Sequence, residues 1–335
     1  MKPSPRDFSL ANPWRTWYNQ VNRTRHASFK EEVGSFFKEV KMRKNHQPPL
    51  TIAEQIQHLK ALGLTVLDEH AARRILKRVS YYRLIKGYGR TLKWEGRFIA
   101  GASLEDIVDL YQFDQALRRL ILTLLEPLEL ALRAAITQHF SLRYGNFGHL
   151  HPENAGRGQK QAHFAQAVKE LKAQAKRSQR AKIVEHFKQH YQGGQVPFYA
   201  LVEVASFGTL VQLFKQLASG DKRQVAESFN VEVAYLESWL DNFSHLRNIC
   251  AHYGRLYGRY LEKPTRLYAR FRQAGVKNNT LMASLLNLRQ VTPPDLYQVF
   301  YDRLVALISA HPVVDLKQLG FPKEGWDLLL PEGYI

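Results

Sequence analysis

Apolar residues recur at a helical spacing over most of the chain, and polar cap residues mark where helices begin. The predicted helices cover residues 52–62, 69–84, 104–144, 159–191, 198–217, 236–260 and 296–310. Pro127 is expected to kink or break the third of these, and Ser206–Thr209 to interrupt the fifth. Strand signals are scarce apart from a short hairpin around 92–98. The pattern predicts an all-α fold, with an up-and-down helical bundle as the default.

The stretch 236–260, LESWLDNFSHLRNICAHYGRLYGRY, has the most unusual pattern of polar residues. A continuous helix would place apolar side chains on one side: Leu236, Leu240, Phe243, Cys250, Tyr253 and Tyr257. The other side would carry a carboxylate, two imidazoles, an amide and two guanidiniums: Asp241, His245, Asn248, His252, Arg255 and Arg259. Arg247 stands at the flank. Such groups move protons and bind phosphate, so we interpret this segment as a candidate active site.

Charge favours a polyanionic partner. Lys and Arg total 48 against 30 Asp and Glu, which gives a net charge of +18 and a pI of about 9.9. Neutralising phosphates releases condensed counterions, so nucleic acid is the preferred interpretation. A soluble basic protein, or one attracted to anionic lipid, is the alternative. The chain also has 16 Tyr, and such rings can stack on unpaired bases.

Cysteine usage and hydropathy exclude several classes. The one cysteine, Cys250, can form neither a disulfide framework nor a thiolate zinc site. The N-terminus lacks the apolar core of a signal peptide and no window is long and apolar enough to span a membrane, so we expect a cytoplasmic protein without a membrane partner. His186 and His190 have a metal-compatible spacing but no third ligand, so we expect no metal site and no cofactor. The motifs of serine hydrolases, P-loop NTPases and dithiol enzymes are absent from the sequence.

The domain organisation follows from composition. Residues 1–49 form a basic extension with interspersed aromatics, either a disordered arm or one that contacts nucleic acid. Residues 50–102 are predicted to form an N-terminal helical subdomain. Residues 103–311 are predicted to form the main bundle, with a basic helical insertion at about 145–196. Residues 312–335 form a Pro- and Gly-rich tail.

Cleavage of RNA without a metal needs a base, an acid and cations that meet the charge on the phosphate oxygens. Asn248 and His252 lie four residues apart and share a helix face. Arg247 is five residues before His252, about 140° around a helix, so within one chain the two side chains point in different directions. Two copies related by a two-fold axis would pool these residues in a composite cleft, which predicts a homodimer. Predicted RNA-binding residues around the site are His245, Arg255, Arg259, Arg266 and Arg270.

The segment Arg247–His252 matches the R-x4–6-H motif of HEPN ribonucleases, and the wider pattern resembles the Abi-like abortive-infection family within that superfamily. The resemblance covers roughly residues 50–300. Its blocks are Tyr81–Leu84 with Gly87-Tyr88, Leu110–Asp114 with Leu117-Arg118, then Glu126, Glu129 and Arg133, Ser206–Leu210, and Arg247–His252 with Arg255-Leu256. We interpret Glu126, Glu129 and Arg133 as a structural ion pair rather than as catalytic carboxylates.

The resemblance implies a HEPN-type helical bundle, with an N-terminal helical extension, that forms a dimer and cuts RNA independently of metal to leave a 2′,3′-cyclic phosphate. It implies that Arg247 and His252 are catalytic and that Asn248 assists. It further implies a toxin of phage defence, with RNA as substrate and a small inhibitory RNA or an antitoxin as restraint.

Three other interpretations stay open at this stage. The polar face could be an ordinary solvated helix face. The chain could be a non-catalytic RNA-binding protein that forms a ribonucleoprotein with a partner RNA. It could also be a nucleotide-binding regulatory bundle, which predicts a weaker salt dependence of nucleic-acid binding.

Overall fold

Helices account for nearly all of the regular structure, so the predicted all-α class is confirmed. The computed structural model describes residues 48–177, 181–323 and 325–331. Within them the α-helices are α1 Ile52–Ala61, α2 Glu69–Arg78, α3 Leu104–Tyr144, α4 Gln159–Arg177, α5 Ala181–His190, α6 Phe198–Val202, α7 Phe207–Gln216, α8 Ser219–Glu227, α9 Val233–Ala251, α10 Ala269–Gln273, α11 Leu281–Val291 and α12 Pro294–Ala310. None of these helices combines the length and the apolar character that crossing a membrane requires.

The chain divides into two units, Met1–Thr51 and Ile52–Ile335. The predicted basic extension lies almost wholly outside the described residues. The finer division at 102 and 311 remains a prediction.

The segment between α2 and α3 departs from the predicted single helix over 69–84. Helix α2 ends at Arg78 because Val79 takes an extended conformation, and Tyr82–Lys86 then form one π-helical turn. A 3₁₀ helix, Gly89–Leu92, leads into the hairpin of β1 Lys93–Trp94 and β2 Arg97–Phe98, which pair antiparallel. Its two turn residues, Glu95 and Gly96, both have positive φ, as a two-residue hairpin turn requires.

Helix α3 is the central element, 41 residues long. The Ser103 hydroxyl accepts from the Asp106 N–H at 3.0 Å, and the Asp106 carboxylate accepts from the Ser103 N–H at 3.0 Å, so the predicted cap is confirmed. The predicted break at Pro127 is wrong, because the helix runs through it. Leu124, Leu125 and Leu128 are buried on either side of the proline, and α3 packs against α6, α8, α9 and α12, so tertiary burial outweighs one lost hydrogen bond.

The remaining helices pack around α3. The predicted helix over 159–191 corresponds to α4 and α5, with the connecting residues outside the described part. The predicted helix over 198–217 is interrupted, but at residues 203–206 rather than at Ser206–Thr209. Helix α6 ends at Val202, and the Ser206 hydroxyl caps α7 by accepting from the Thr209 N–H, so residues 207–209 form the first turn of α7. Helices α8, α10 and α11 were not predicted. Helix α9 ends at Ala251, so the prediction of one helix through Tyr260 is wrong.

The described part of the tail is folded. Leu316–Leu319 and Trp326–Leu329 form 3₁₀ helices, and the rings of Phe321 and Trp326 stack with centroids 5.4 Å apart. Leu319 and Leu329 are buried. The segment after 311 therefore contributes to the core of the second unit.

Candidate functional site

The candidate site lies at the C-terminal end of α9. His252 caps the helix, and its N–H donates to the Asn248 carbonyl at 3.0 Å. Tyr253 takes a positive φ of 59°, which turns the chain back so that the Gly254 N–H donates to the Ile249 carbonyl at 2.7 Å. A Cβ at Gly254 would lie 2.8 Å from Cγ2 of Ile249, so only glycine fits this close approach. The helix therefore ends where glycine allows the chain to reverse.

A buried carboxylate on α3 holds the loop that follows His252. Asp114 accepts the backbone N–H groups of Leu256 at 3.1 Å and Tyr257 at 2.8 Å, and the Tyr88 hydroxyl at 2.7 Å. Arg118, also buried, donates to Asp114 at 2.5 Å. One carboxylate thus fixes two successive residues of a loop that lies more than 140 positions away in sequence.

The same loop has two further contacts. Arg118 also donates to the Gly254 carbonyl at 3.1 Å, and Arg83 donates to the Tyr253 carbonyl at 2.7 Å. Guanidiniums therefore bind two carbonyls directly after His252. The loop directly after that histidine is consequently held by two distant segments, α3 and the turn at Tyr82–Lys86.

Arg247 contacts the C-terminal half of α3. Its Nε lies 3.5 Å from one carboxylate oxygen of Glu129, and the other oxygen lies 3.3 Å from Arg133. Arg133 is buried and donates to the carbonyls of Val202 and Ala205, the latter at 3.0 Å, at the end of α6. Glu129 and Arg133 are thus a structural ion pair, as predicted, and the pair also contacts Arg247.

Asn248 and His252 are exposed to solvent, and the side chain of Arg247 is 36% exposed. None of the three lies in the apolar core. His245, by contrast, is half-buried, its Nε2 has no hydrogen-bond partner, and burial lowers the pKa of its imidazole. The described structure therefore leaves the R-x4-H residues accessible to a polynucleotide.

The predicted polar face does not continue beyond His252, because the helix ends there. The Arg255 guanidinium turns inward and donates to the carbonyls of Tyr257 at 2.6 Å and Gly258 at 3.3 Å. Burial, followed by the neighbouring Arg90, lowers the pKa of Arg255. Arg259 pairs with Glu262 at 2.6 Å. Arg255 and Arg259 line a cavity that His252 does not line.

The predicted apolar face is wrong at Tyr253, whose side chain is 69% exposed. Tyr257, by contrast, is buried, and its hydroxyl accepts from the Asp315 N–H at 3.0 Å. Asp241, predicted beside the imidazoles, instead forms an ion pair with Lys215 at 2.7 Å.

Two other predicted RNA-binding residues lie over aromatic rings. The Arg266 guanidinium lies 5.9 Å from the centre of the Tyr235 ring. The Arg270 guanidinium lies 4.8 Å from the centre of the Phe271 ring and donates to Gln290 at 3.3 Å. Both arginines are exposed, whereas the Phe271 ring is buried and the Tyr235 ring is only partly exposed, so this surface presents the guanidiniums rather than the rings.

Sequence reasoning included Asp114 and Arg118 in the resemblance but assigned them no role. Their signal is an i,i+4 acid–base pair within a stripe of otherwise buried apolar residues, Leu110, Phe113 and Leu117. Among the described residues, no three His, Cys, Asp or Glu side chains form a group that could hold a metal ion.

Comparison with protein families gives one match. The model of the family described as Abi-like protein matches residues 74–258, more than half of the chain, and this range includes the loop held by Asp114. Comparison with curated proteins and with solved structures found no match. The chain belongs to the Abi-like protein family.

Proposed function

We propose that this protein is a metal-independent endoribonuclease of the HEPN type that acts as a toxin in abortive-infection phage defence. The observation that carries the proposal is the accessible Arg247–His252 motif at the end of α9, which contacts α3 through Glu129 and is followed by a loop bound to Asp114. Membership of the Abi-like family supports the role in defence.

The reaction needs a base, an acid and a cation. An imidazole takes the proton of the ribose 2′-OH, the 2′ oxygen attacks the phosphorus, and the bond to the 5′ oxygen breaks. A second imidazole gives that oxygen its proton, which leaves a 2′,3′-cyclic phosphate and a 5′-hydroxyl. Arg247 binds the non-bridging oxygens, where negative charge builds. Asn248 orients the ring of His252 or binds the phosphate.

A homodimer would supply the second imidazole. One copy has one His252, and His245 is half-buried, so a two-fold axis near the end of α9 would bring two His252 and two Arg247 together. The substrate RNA binds in this cleft. A small inhibitory RNA would restrain the toxin by occupying the same cleft.

The proposal is tested with His252→Ala and Arg247→Ala, and with His58→Ala on α1 as a matched control at an exposed histidine. The wild type should cut labelled RNA in EDTA and leave 2′,3′-cyclic phosphate ends. Each motif variant should lose about a hundredfold or more in rate, with RNA binding retained. Unchanged cleavage by His252→Ala, or cleavage only with a divalent ion, would overturn the proposal.

The composite cleft has its own test, in which equal amounts of wild type and His252→Ala are unfolded and refolded together. A mixed dimer then has both copies of Arg247 but only one His252. If the reaction needs the imidazoles of both copies, the mixed dimers are inactive and about a quarter of the wild-type activity remains. If about half remains, each copy acts alone and the argument for the dimer fails.

A second candidate function is a non-catalytic ribonucleoprotein, favoured by the exposed guanidiniums of Arg266 and Arg270. That function predicts that removing both arginines releases the partner RNA, whereas His252→Ala changes neither toxicity nor binding.

A further inference from the structure

A cavity of about 570 Å³ lies beside the loop that follows α9. Its walls come from four separate segments: the 3₁₀ helix at Gly89–Leu92, residues 255–260, residues 275–280 and residues 317–322. Its volume lies within the range of small-molecule sites in proteins. The R-x4-H residues are not among the lining residues, so the cavity is separate from the proposed cleavage site.

The lining residues are strongly cationic. They include Arg90, Arg255, Arg259, Lys277 and Lys317, and among the residues that the structure describes none of those lining the cavity is acidic. One carboxylate, Glu262, pairs with Arg259 from outside, and its side chain is 72% exposed. Neighbouring cations repel one another, as the effect of Arg90, after that of burial, on the pKa of Arg255 indicates, and a bound anion with several charges would offset that repulsion.

The walls are tied together by backbone hydrogen bonds. The Gly258 N–H donates to the Gln318 carbonyl at 3.0 Å, and the Leu261 N–H donates to the Asn279 carbonyl at 2.7 Å. Gly258 has a φ of +65°, and a Cβ there would lie 3.0 Å from Cγ2 of Thr91. The cavity is therefore formed before any ligand enters, which reduces the entropic cost of binding.

The ring of Tyr260 provides an aromatic surface in the same cavity. Tyr260 is 60% exposed although it lines the cavity, and Lys277 Nζ lies 6.0 Å from the ring centre. Exposed rings beside cations bind bases by stacking while the cations bind phosphates. The chemistry of the wall thus matches a base with phosphates attached.

We propose that this cavity binds the triphosphate group of a nucleotide. A single phosphate is too small to contact cations on four walls of a cavity this size, whereas a chain of three phosphates can reach several of them. Two sources have this chemistry, a free nucleoside triphosphate and the 5′-triphosphate end of an RNA.

The full-length chain is titrated calorimetrically with ATP, GTP, AMP and inorganic tripolyphosphate. The full-length His252→Ala variant, which should not cleave RNA, is titrated with ATP and with a short RNA that carries either a 5′-triphosphate or a 5′-hydroxyl. Both triphosphates should bind at least about tenfold more tightly than AMP, and tripolyphosphate should compete with them. A preference of the protein for the 5′-triphosphate RNA over both the 5′-hydroxyl RNA and free ATP identifies an RNA end as the source. Equal binding of the two RNAs, with tight binding of ATP or GTP, identifies the free nucleotide.

Two rim variants, Arg90→Glu and Lys277→Glu, test the location, with Arg303→Glu on α12 as the matched charge control outside the cavity. Each rim variant should weaken triphosphate binding by about tenfold or more, and the control should not. Circular dichroism checks that all three variants are folded. Equal weakening by the control, or AMP binding as tight as ATP binding, would overturn the proposal. RNA cleavage is measured separately, so this outcome does not depend on the proposed ribonuclease.

Discussion

Replacing Asp114 with asparagine should destabilise the fold at the contact between α3 and the loop after His252 while leaving the volume of the side chain nearly unchanged. The carboxylate is fully buried and holds Arg118, itself 3% exposed. Asparagine can still accept the two backbone N–H groups of the loop, but its amide nitrogen would face the guanidinium of Arg118. The substitution therefore leaves a buried positive charge without its partner.

The magnitude follows from that unpaired charge. Breaking a buried ion pair by removing one partner typically costs about 3–5 kcal/mol. Solvent screening reduces this cost only slightly, because the side chains of Asp114 and Arg118 are 0% and 4% exposed. We therefore expect Asp114→Asn to lower the free energy of unfolding by about 3 kcal/mol, and Arg118→Met to cost less in that background than in the wild type.

Urea unfolding of the two single variants and the double variant measures these values. The matched control is Glu170→Gln, which breaks an exposed pair with Arg177 whose side chains are 47% and 68% exposed. This control should change the free energy by less than about 1 kcal/mol. At temperatures where Asp114→Asn is folded, it should bind RNA but cleave it more slowly. A stability loss no larger than that of the control would refute the reasoning.

Three further predictions concern buried polar groups. Burial lowers the pKa of His149 from its ordinary 6.5 to about 4. Between these two pH values the unfolded chain binds one more proton than the folded chain, so the free energy of unfolding falls by up to about 3 kcal/mol as the pH drops from 6.5 to 4. His149→Phe should therefore flatten the dependence of the urea midpoint on pH. Arg133→Met removes the guanidinium donor from the Ala205 carbonyl and leaves the Val202 carbonyl with the Ala205 N–H alone, so it should cost about 1–3 kcal/mol in thermal unfolding at constant pH; a neutral effect contradicts it. Burial raises the pKa of Cys250 to about 12, so a thiol reagent at pH 8 should label it only in denaturant, and rapid labelling of the folded protein contradicts this.

Local signals predicted the helices well where they act within one turn. The cap at Ser103 depends on a side chain three residues from the group that it binds, so the sequence contains the whole interaction. The break expected at Pro127 does not occur because the local cost of the proline is outweighed by the burial of leucines on both sides, which depends on the packing of other helices.

The end of α9 could not be located from periodicity alone. Residues 252–260 continue the helical spacing of polar and apolar positions, but the chain turns at Gly254 and is then held by Asp114, which lies on another helix. Because those contacts join positions distant in sequence, they leave no periodic signal. Asn248 and His252 are exposed at the end of α9, whereas Arg255 and Arg259 line a cavity to which neither contributes.

Helix α3 holds the protein groups that contact Arg247 and the loop after His252 at two separate points, Glu129 and Asp114. These points are fifteen residues apart, about 22 Å along the axis. Pro127, which removes one main-chain hydrogen bond, lies between them. The positions of Arg247 and of the loop after His252 therefore both depend on the straightness of one helix. A bend of α3 at Pro127 would move one relative to the other and slow the proposed cleavage without changing any residue that contacts RNA.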